Sequence, residues 1–406
     1  MRLPHSTYDV HLPSAALVVL VHVLLALPLP MRAQVEEDTV PKKNFIVRLI
    51  DAFDEIDTNY VEPIDYNYTA MLQATRNLEY YTIGNIDNDS RLSFAERNNL
   101  RVGPYFGWRW LFLGYTFDVL HLGKRPKNRG INLDLSFYTS RVGLDLFYHR
   151  TGENFNFRHI HGLSETIKEL EGEPCGDYIS TQLMGLKVYY NFNSKRYSNQ
   201  AIYSQSKIQR RSAGSFQLGA SFTQHDVLFN YQALPAPFAQ DYGQEAFKAL
   251  ERVKYRDYAV HIGYAYNWVL ARDLCLGMSV MPAVSLTWTS TKTAMIQSLP
   301  VENEEVTDDK PFYAKIYDSF RRQAAIGLDC TARSGIIYNN GKWFTGVMAI
   351  IHNFNYHRDD MRFSNTFGTA NLFVGVYFQK RKTKSEKEKE KAELQHLQPE
   401  LPVIEY

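Results

Sequence analysis

No stretch of the 406-residue chain offers the roughly eighteen consecutive apolar residues that a membrane-crossing helix needs. Charge of one sign is lacking too: 45 Lys and Arg stand against 44 Asp and Glu, so nothing in the balance points to nucleic acid. Cysteine is scarce. Cys175, Cys275 and Cys330 have no metal-binding spacing and, being three, cannot all pair. Cys275 and Cys330 sit in alternating apolar segments and read as small core side chains.

Aromatic residues are plentiful, with 27 Tyr and 24 Phe, and they recur with period two. In residues 111–118, Leu111, Leu113, Tyr115 and Phe117 point one way, and Phe112, Gly114, Thr116 and Asp118 the other. Residues 131–138 (INLDLSFY) alternate as cleanly, with Leu133 and Leu135 on one face and Asn132, Asp134 and Ser136 on the other. Similar rows follow around 142–149, 184–190, 216–222, 258–268, 274–288, 324–339, 343–354 and 370–378, after a first strand at 66–75 and a polar excursion to 98. With the paired strands around residues 101–118, the tally is about twelve, the even number typical of bacterial outer-membrane barrels. Short links alternate with long ones, except for the link 193–212, which is long on the short-turn side. Trp108, Trp110, Trp268 and Trp343 fall at strand ends beside short turns and Trp288 at the opposite end, as in an aromatic girdle. The negative mean hydropathy fits as well, because the inward face of a barrel is polar.

These patterns predict an all-β fold, a transmembrane antiparallel β-barrel of about twelve strands over residues 66–379. Residues 1–33 read as a signal peptide, with an apolar run at 15–27 and Ala33 before the cut. Residues 34–65 form a periplasmic segment whose apolar residues Phe45, Ile46, Leu49, Ile50 and Phe53 predict a short amphipathic helix within 41–62. Residues 380–406 are a charged tail, and an even strand number puts both termini in the periplasm of a Gram-negative envelope.

Three motifs resemble the domain of unknown function 4421 family: residues 103–118 (GPYFGWRWLFLGYTFD), 204–215 (SQSKIQRRSAGS) and 264–272 (YAYNWVLAR). The resemblance runs from about Phe53 to Phe378 and implies an outer-membrane barrel of Bacteroidales-type bacteria with no assigned activity. It carries no catalytic residues over. It also implies that the long link 193–212 is a structured feature, since one motif lies inside it.

The inward polar set predicted from alternation is Asp118, Asp134, Asp145, Lys187, His261 and Asp329, sharing the lumen with Phe112, Phe147, Tyr189 and Tyr377. Twelve strands and these bulky residues predict a narrow or occluded interior. The expected role is non-catalytic: narrow transport, or an envelope-structural or partner-binding function. The alternative is a barrel hydrolase using His149, His159 and His161 with Asp145 and Glu153, but no strand carries the His-x-Ser pair of a barrel phospholipase. His159 and His161 lack a third metal ligand, and neither metal nor cofactor is expected. The expected partners are outer-membrane lipid, surface glycolipid at the basic stretch 124–129, and a periplasmic protein at the N-terminal helix or charged tail.

Overall fold

The computed structural model describes residues 55–86, 89–108, 111–114, 116–120, 131–151, 155–233, 235–242, 252–289, 324–358 and 361–380, all within one compact unit, Leu49–Tyr406. The expected signal peptide, most of the segment expected to hold the N-terminal helix, the basic stretch 124–129 and the tail beyond Lys380 lie outside the described residues.

Seventeen strands run through the described residues. In chain order they are β1 (Val61–Pro63), β2 (Tyr66–Asn85), β3 (Ser90–Glu96), β4 (Arg101–Trp108), β5 (Leu111–Gly114), β6 (Phe117–Asp118), β7 (Ile131–Tyr138), β8 (Val142–Arg150) and β9 (Phe155–His161). There follow β10 (Ile179–Asn191), β11 (Lys207–Gln209), β12 (Ala213–Phe229), β13 (Arg252–Ala271), β14 (Leu274–Thr289), β15 (Ala324–Asn339), β16 (Trp343–Arg358) and β17 (Met361–Lys380). Three short helices interleave: α1 (Glu165–Lys168), α2 (Gln200–Tyr203) and α3 (Ala236–Tyr242).

One antiparallel sheet holds the wall, in the order β5-β4-β2-β17-β16-β15-β14-β13-β12-β10-β8-β7. Its twelve strands are those expected from alternation, several of them longer at both ends. The first and last wall strands, β2 and β17, pair along nearly their whole length. Such pairing curls the sheet and leaves no exposed edge there.

Alternation sorts the side chains. On β13, Tyr258, Val260, Ile262 and Tyr264 stand exposed, Ile262 by 63%, while Ala259, His261 and Ala265 are buried. On β14, Val280, Val284 and Leu286 face out, and Ser279, Met281 and Ser285 face in. The outer surface is therefore a continuous apolar band, a pattern suited to hydrocarbon. Trp268 and Trp343 stand exposed near the short turns and Trp288 near the other end; the side chains of Trp108 and Trp110 lie outside the described residues.

Two segments depart from expectation. Residues 90–96, assigned to a polar excursion, form β3, which pairs with β2 on one side and β9 on the other. Most of β3 is buried on both faces, so it lacks the alternation that marks a one-sided strand. It carries Leu92 and Phe94 into an aromatic cap at the long-loop end, where Phe157, Tyr178 and Phe238 stack. The last residues of the N-terminal segment also carry a strand that alternation did not predict. Residues 58–60 turn, and β1 follows as a strand paired with β11. β-Branched Val61 suits a strand, and Pro63 lacks the N–H a helix would use.

Candidate functional site

The long link between β10 and β12 does not hang outside the barrel. It folds into the lumen as a plug of residues 193–211, containing α2 and β11. Tyr197, Asn199 and Ile202 are fully buried, and Gln200, Lys207 and Gln209 nearly so. So many polar side chains can be buried only if each finds a partner. Asn199 donates to the Tyr189 hydroxyl at 3.1 Å and accepts from the Tyr197 hydroxyl at 2.6 Å. Gln200 donates to the Tyr138 carbonyl at 2.8 Å, and Lys207 to the Ser140 hydroxyl at 2.7 Å. From the wall, Asn267 donates to the Ser198 carbonyl at 2.9 Å and the Tyr377 hydroxyl to the Gln205 carbonyl at 2.5 Å.

Packing fixes the plug as firmly as the hydrogen bonds do. Ile202 presses on two wall glycines. A Cβ built at Gly277 would stand 2.5 Å from Ile202 Cγ1, and one at Gly335 would stand 2.9 Å from Ile202 Cγ2. Only a residue without a side chain leaves room there. The chain before the barrel is stitched to the same plug: Arg210 N donates to the Tyr60 carbonyl at 2.7 Å, beside the β1–β11 ladder. At its outer rim Glu55 accepts from Lys195 at 2.8 Å and Arg141 at 3.1 Å, and the Lys195 hydrogen bond holds the carboxyl below its ordinary range.

Above the plug the expected polar residues take distinct places. Asp145 is buried, accepts from Ser136 at 2.8 Å and from Tyr138 at 3.1 Å, and is ion-paired with Arg333. Arg333 also donates to Tyr189 at 2.5 Å and lies over its ring, 4.7 Å from the centroid. Lys187 lies 3.4 Å from His261 Nδ1, and His261 Nε2 lies 2.8 Å from the Ser221 hydroxyl. Asp329 accepts from the Asn355 backbone at 3.1 Å. Asp134 sits at the β7 edge, 2.8 Å from the ring of buried His149. Asp118 stays apart from this group, half-buried, accepting from Leu120 N at 3.1 Å. Of the expected bulky lumen residues, Phe147, Tyr189 and Tyr377 are buried; the side chain of Phe112 lies outside the described residues.

The hydrolase set does not assemble. His149 faces inward on Asp134, whereas His159 pairs with Glu171 at 3.1 Å and His161 with Asp89 at 3.3 Å, both on the exposed cap. Glu153 lies outside the described residues. No group of three or more His, Cys, Asp and Glu that could hold a metal occurs among the described residues.

A cavity of about 450 Å³ remains between the plug and the wall, lined by Gln73, Arg101, Tyr105, Asp134, Tyr203 and Asn371 among others. Sequence reasoning missed Arg101 and Arg333, and it marked the link 193–212 as structured without placing it in the lumen. Arg333 sits on an inward position of β15, so the same alternation that selected Asp329 would have found it.

No curated protein matches this chain. Solved outer-membrane proteins resemble it in architecture. The outer membrane protease OmpT of Escherichia coli aligns over 79% of this chain and 100% of its own, at 6% identity and a TM-score of 0.32. The translocator domain of the autotransporter NalP from Neisseria meningitidis covers 90% of this chain and 97% of its own, at 7% identity and a TM-score of 0.26. Ail, the attachment invasion locus protein of Yersinia pestis, covers 76% and 99%, at 7% identity and a TM-score of 0.20. Likenesses this loose carry no argument about activity. The family is another matter: its model matches residues 55–378, and the chain belongs to the family described as Domain of unknown function (DUF4421).

Proposed function

We propose that this protein is a non-catalytic outer-membrane barrel whose lumen is kept shut, serving as a binding or structural element of the envelope rather than an open channel. The apolar outer band and the short-turn and long-loop ends support the membrane reading, with the plug end and both chain termini facing the periplasm. The observation that carries the closed-lumen reading is the plug itself, packed on Gly277 and Gly335 and hydrogen-bonded to β7, β13 and β17 of the wall. The stitching of β1 to β11 gives a periplasmic partner a natural docking region beside the N-terminal segment, rimmed by Glu55, Lys195 and Arg196.

The test is electrical. Refolded protein in planar bilayers is expected to show no steady current, while the same preparation shifts in gel mobility on boiling, as a closed barrel does. A large, stable current from band-shifting protein would show that the plug does not seal the lumen. Absence of any band shift together with recovery in the soluble fraction would sink the membrane reading itself.

A further inference from the structure

The chain crosses the plug before it enters the wall. β1 and β11 form a two-stranded sheet of their own, and β2 begins just after Ile64 and Asp65. Beyond the turn that starts at Asp57, the hydrogen bonds of residues 55–64 end on the plug, with Glu55 to Arg141 the exception. Asp57 N donates to the Lys195 carbonyl at 2.8 Å and Ile64 N to the Ser206 carbonyl at 3.3 Å. The Tyr60 carbonyl accepts from Arg210 N and, at 3.3 Å, from Gln209 Nε2. Arg196 and Arg211 lie 5.0 and 5.8 Å from the centroid of the Tyr60 ring. Ile64 shares a buried cluster with Ile202 and Ile208 of the plug, and Tyr60 packs on the cluster of Tyr197, Ala213 and Ala265.

These ties are strong together and weak one by one. A two-stranded pairing is marginal by itself, and Pro63 brings no N–H to it. Loaded from the side of Glu55, the segment gives up its contacts in sequence, as chain ends fray. The rim ion pairs of Glu55 with Lys195 and Asp57 with Arg196 go first, then the Tyr60 carbonyl, then β1. β2 stays behind, held by its own ladders to β17 and β4. What is lost is the hold on β11, which follows Ile202 and its seat on Gly277 and Gly335. The plug then keeps only its wall contacts, with Arg210 to Asp273 at 2.8 Å as its tie to the rim.

We infer that residues 55–64 are a strap holding the plug in its seat. A pull on the N-terminal segment peels the strap and lets the plug shift off Gly277 and Gly335, so that the shut lumen opens on demand from the periplasm. The opening rests on the closed-lumen reading above, which the current through the unaltered protein checks separately; the strap itself is checked by thiol labelling.

Cys275 reports the seat: it is buried on the inner face of β14, close before Gly277, in the cluster that holds Ile202 and Ile208. Cys175, buried in the aromatic cap, is the reference. Full-length protein held in amphipol is treated with a water-soluble maleimide, and mass spectrometry follows each cysteine. Both should label slowly in the unaltered protein. Val61→Asp puts a charge at a fully buried strap position and should speed labelling of Cys275 about tenfold or more, with Cys175 unchanged and the boiling shift kept. Glu55→Lys sets a like charge against Lys195 and Arg141 on the exposed rim and should speed Cys275 about twofold to fivefold, the range of an exposed pair. Should Val61→Asp not fold, Glu55→Lys decides alone. Cys275 as protected in the folded variants as in the unaltered protein would overturn the strap, and so would an equal rise at Cys175, which marks general loosening. Val61→Asp should also pass a current in planar bilayers; fast labelling of Cys275 without current would overturn the opening.

Discussion

Arg333 reaches across the lumen to Asp145 on β8 and Tyr189 on β10, where all three side chains are buried. Removing one partner of such a pair leaves a buried charge uncompensated, at a cost of about 3–5 kcal/mol. Arg333→Met is therefore expected to lower the stability of the refolded protein by that order in urea titrations. The double change Arg333→Met with Asp145→Leu should recover much of the loss, because no lone charge remains. A double variant as unstable as the single would mean that the pair holds more than charge. Cys175 allows a second test. Burial pushes its thiol up to about 12, so the reactive thiolate is scarce at neutral and mildly alkaline pH. Maleimide at pH 8 should leave Cys175 unlabelled in folded protein and label it after denaturation, with mass spectrometry as the readout.

Among the elements, the plug depends on absent side chains as much as on present ones. Gly277→Val would put atoms where Ile202 now lies. The plug should be displaced while the β13–β14–β15 ladder, which needs no side chain there, stays formed. The expected result is a current in planar bilayers from protein that still shifts on boiling, and Ile202→Ala in the same chain should reduce that current. How far each element was legible follows from how many faces it buries. β13 and β14 bury one face and expose the other, and their alternation gives both register and inward residues. β3 is buried on both sides and carries no such signal. The plug was legible as a link too long for its end of the barrel, and as a structured one through the family motif inside it, but not as a filling of the lumen. Its Asn199, Gln200 and Gln209 have the composition of a surface loop, and the wall partners of Gln200 and Gln209, the Tyr138 carbonyl and the Asn267 amide, come from strands distant in sequence. On β7, Leu133 is exposed and Asp134 meets the ring of buried His149, and which strand edges pair around them is something that spacing along one strand does not encode.

For the molecule as a whole, the apolar band is the feature that separates a membrane barrel from a soluble one of the same topology. Ile262 lies in that band on β13, next to His261 on the inner face. Arg at a lipid-facing midplane position costs about 2–4 kcal/mol, so Ile262→Arg should destabilise refolding into liposomes by that amount. In detergent the penalty should shrink, since the guanidinium then reaches water. An equal penalty in both media would place Ile262 against protein rather than lipid.

The plug belongs to the covalent path from β10 to β12, so it can never be delivered afterwards as a separate piece. β2 and β17, which pair along nearly their whole length, are the first and last wall strands to be made. Closing so long a loop of chain is entropically the slow step, and contacts close in sequence form sooner. The timing is thereby imposed by the connectivity: the interior is stocked while the sheet is still an open arc, and the last pairing event locks in contents already present. A chain whose plug was late would have to reopen the β2–β17 pairing, the longest ladder among the described residues, to take it in.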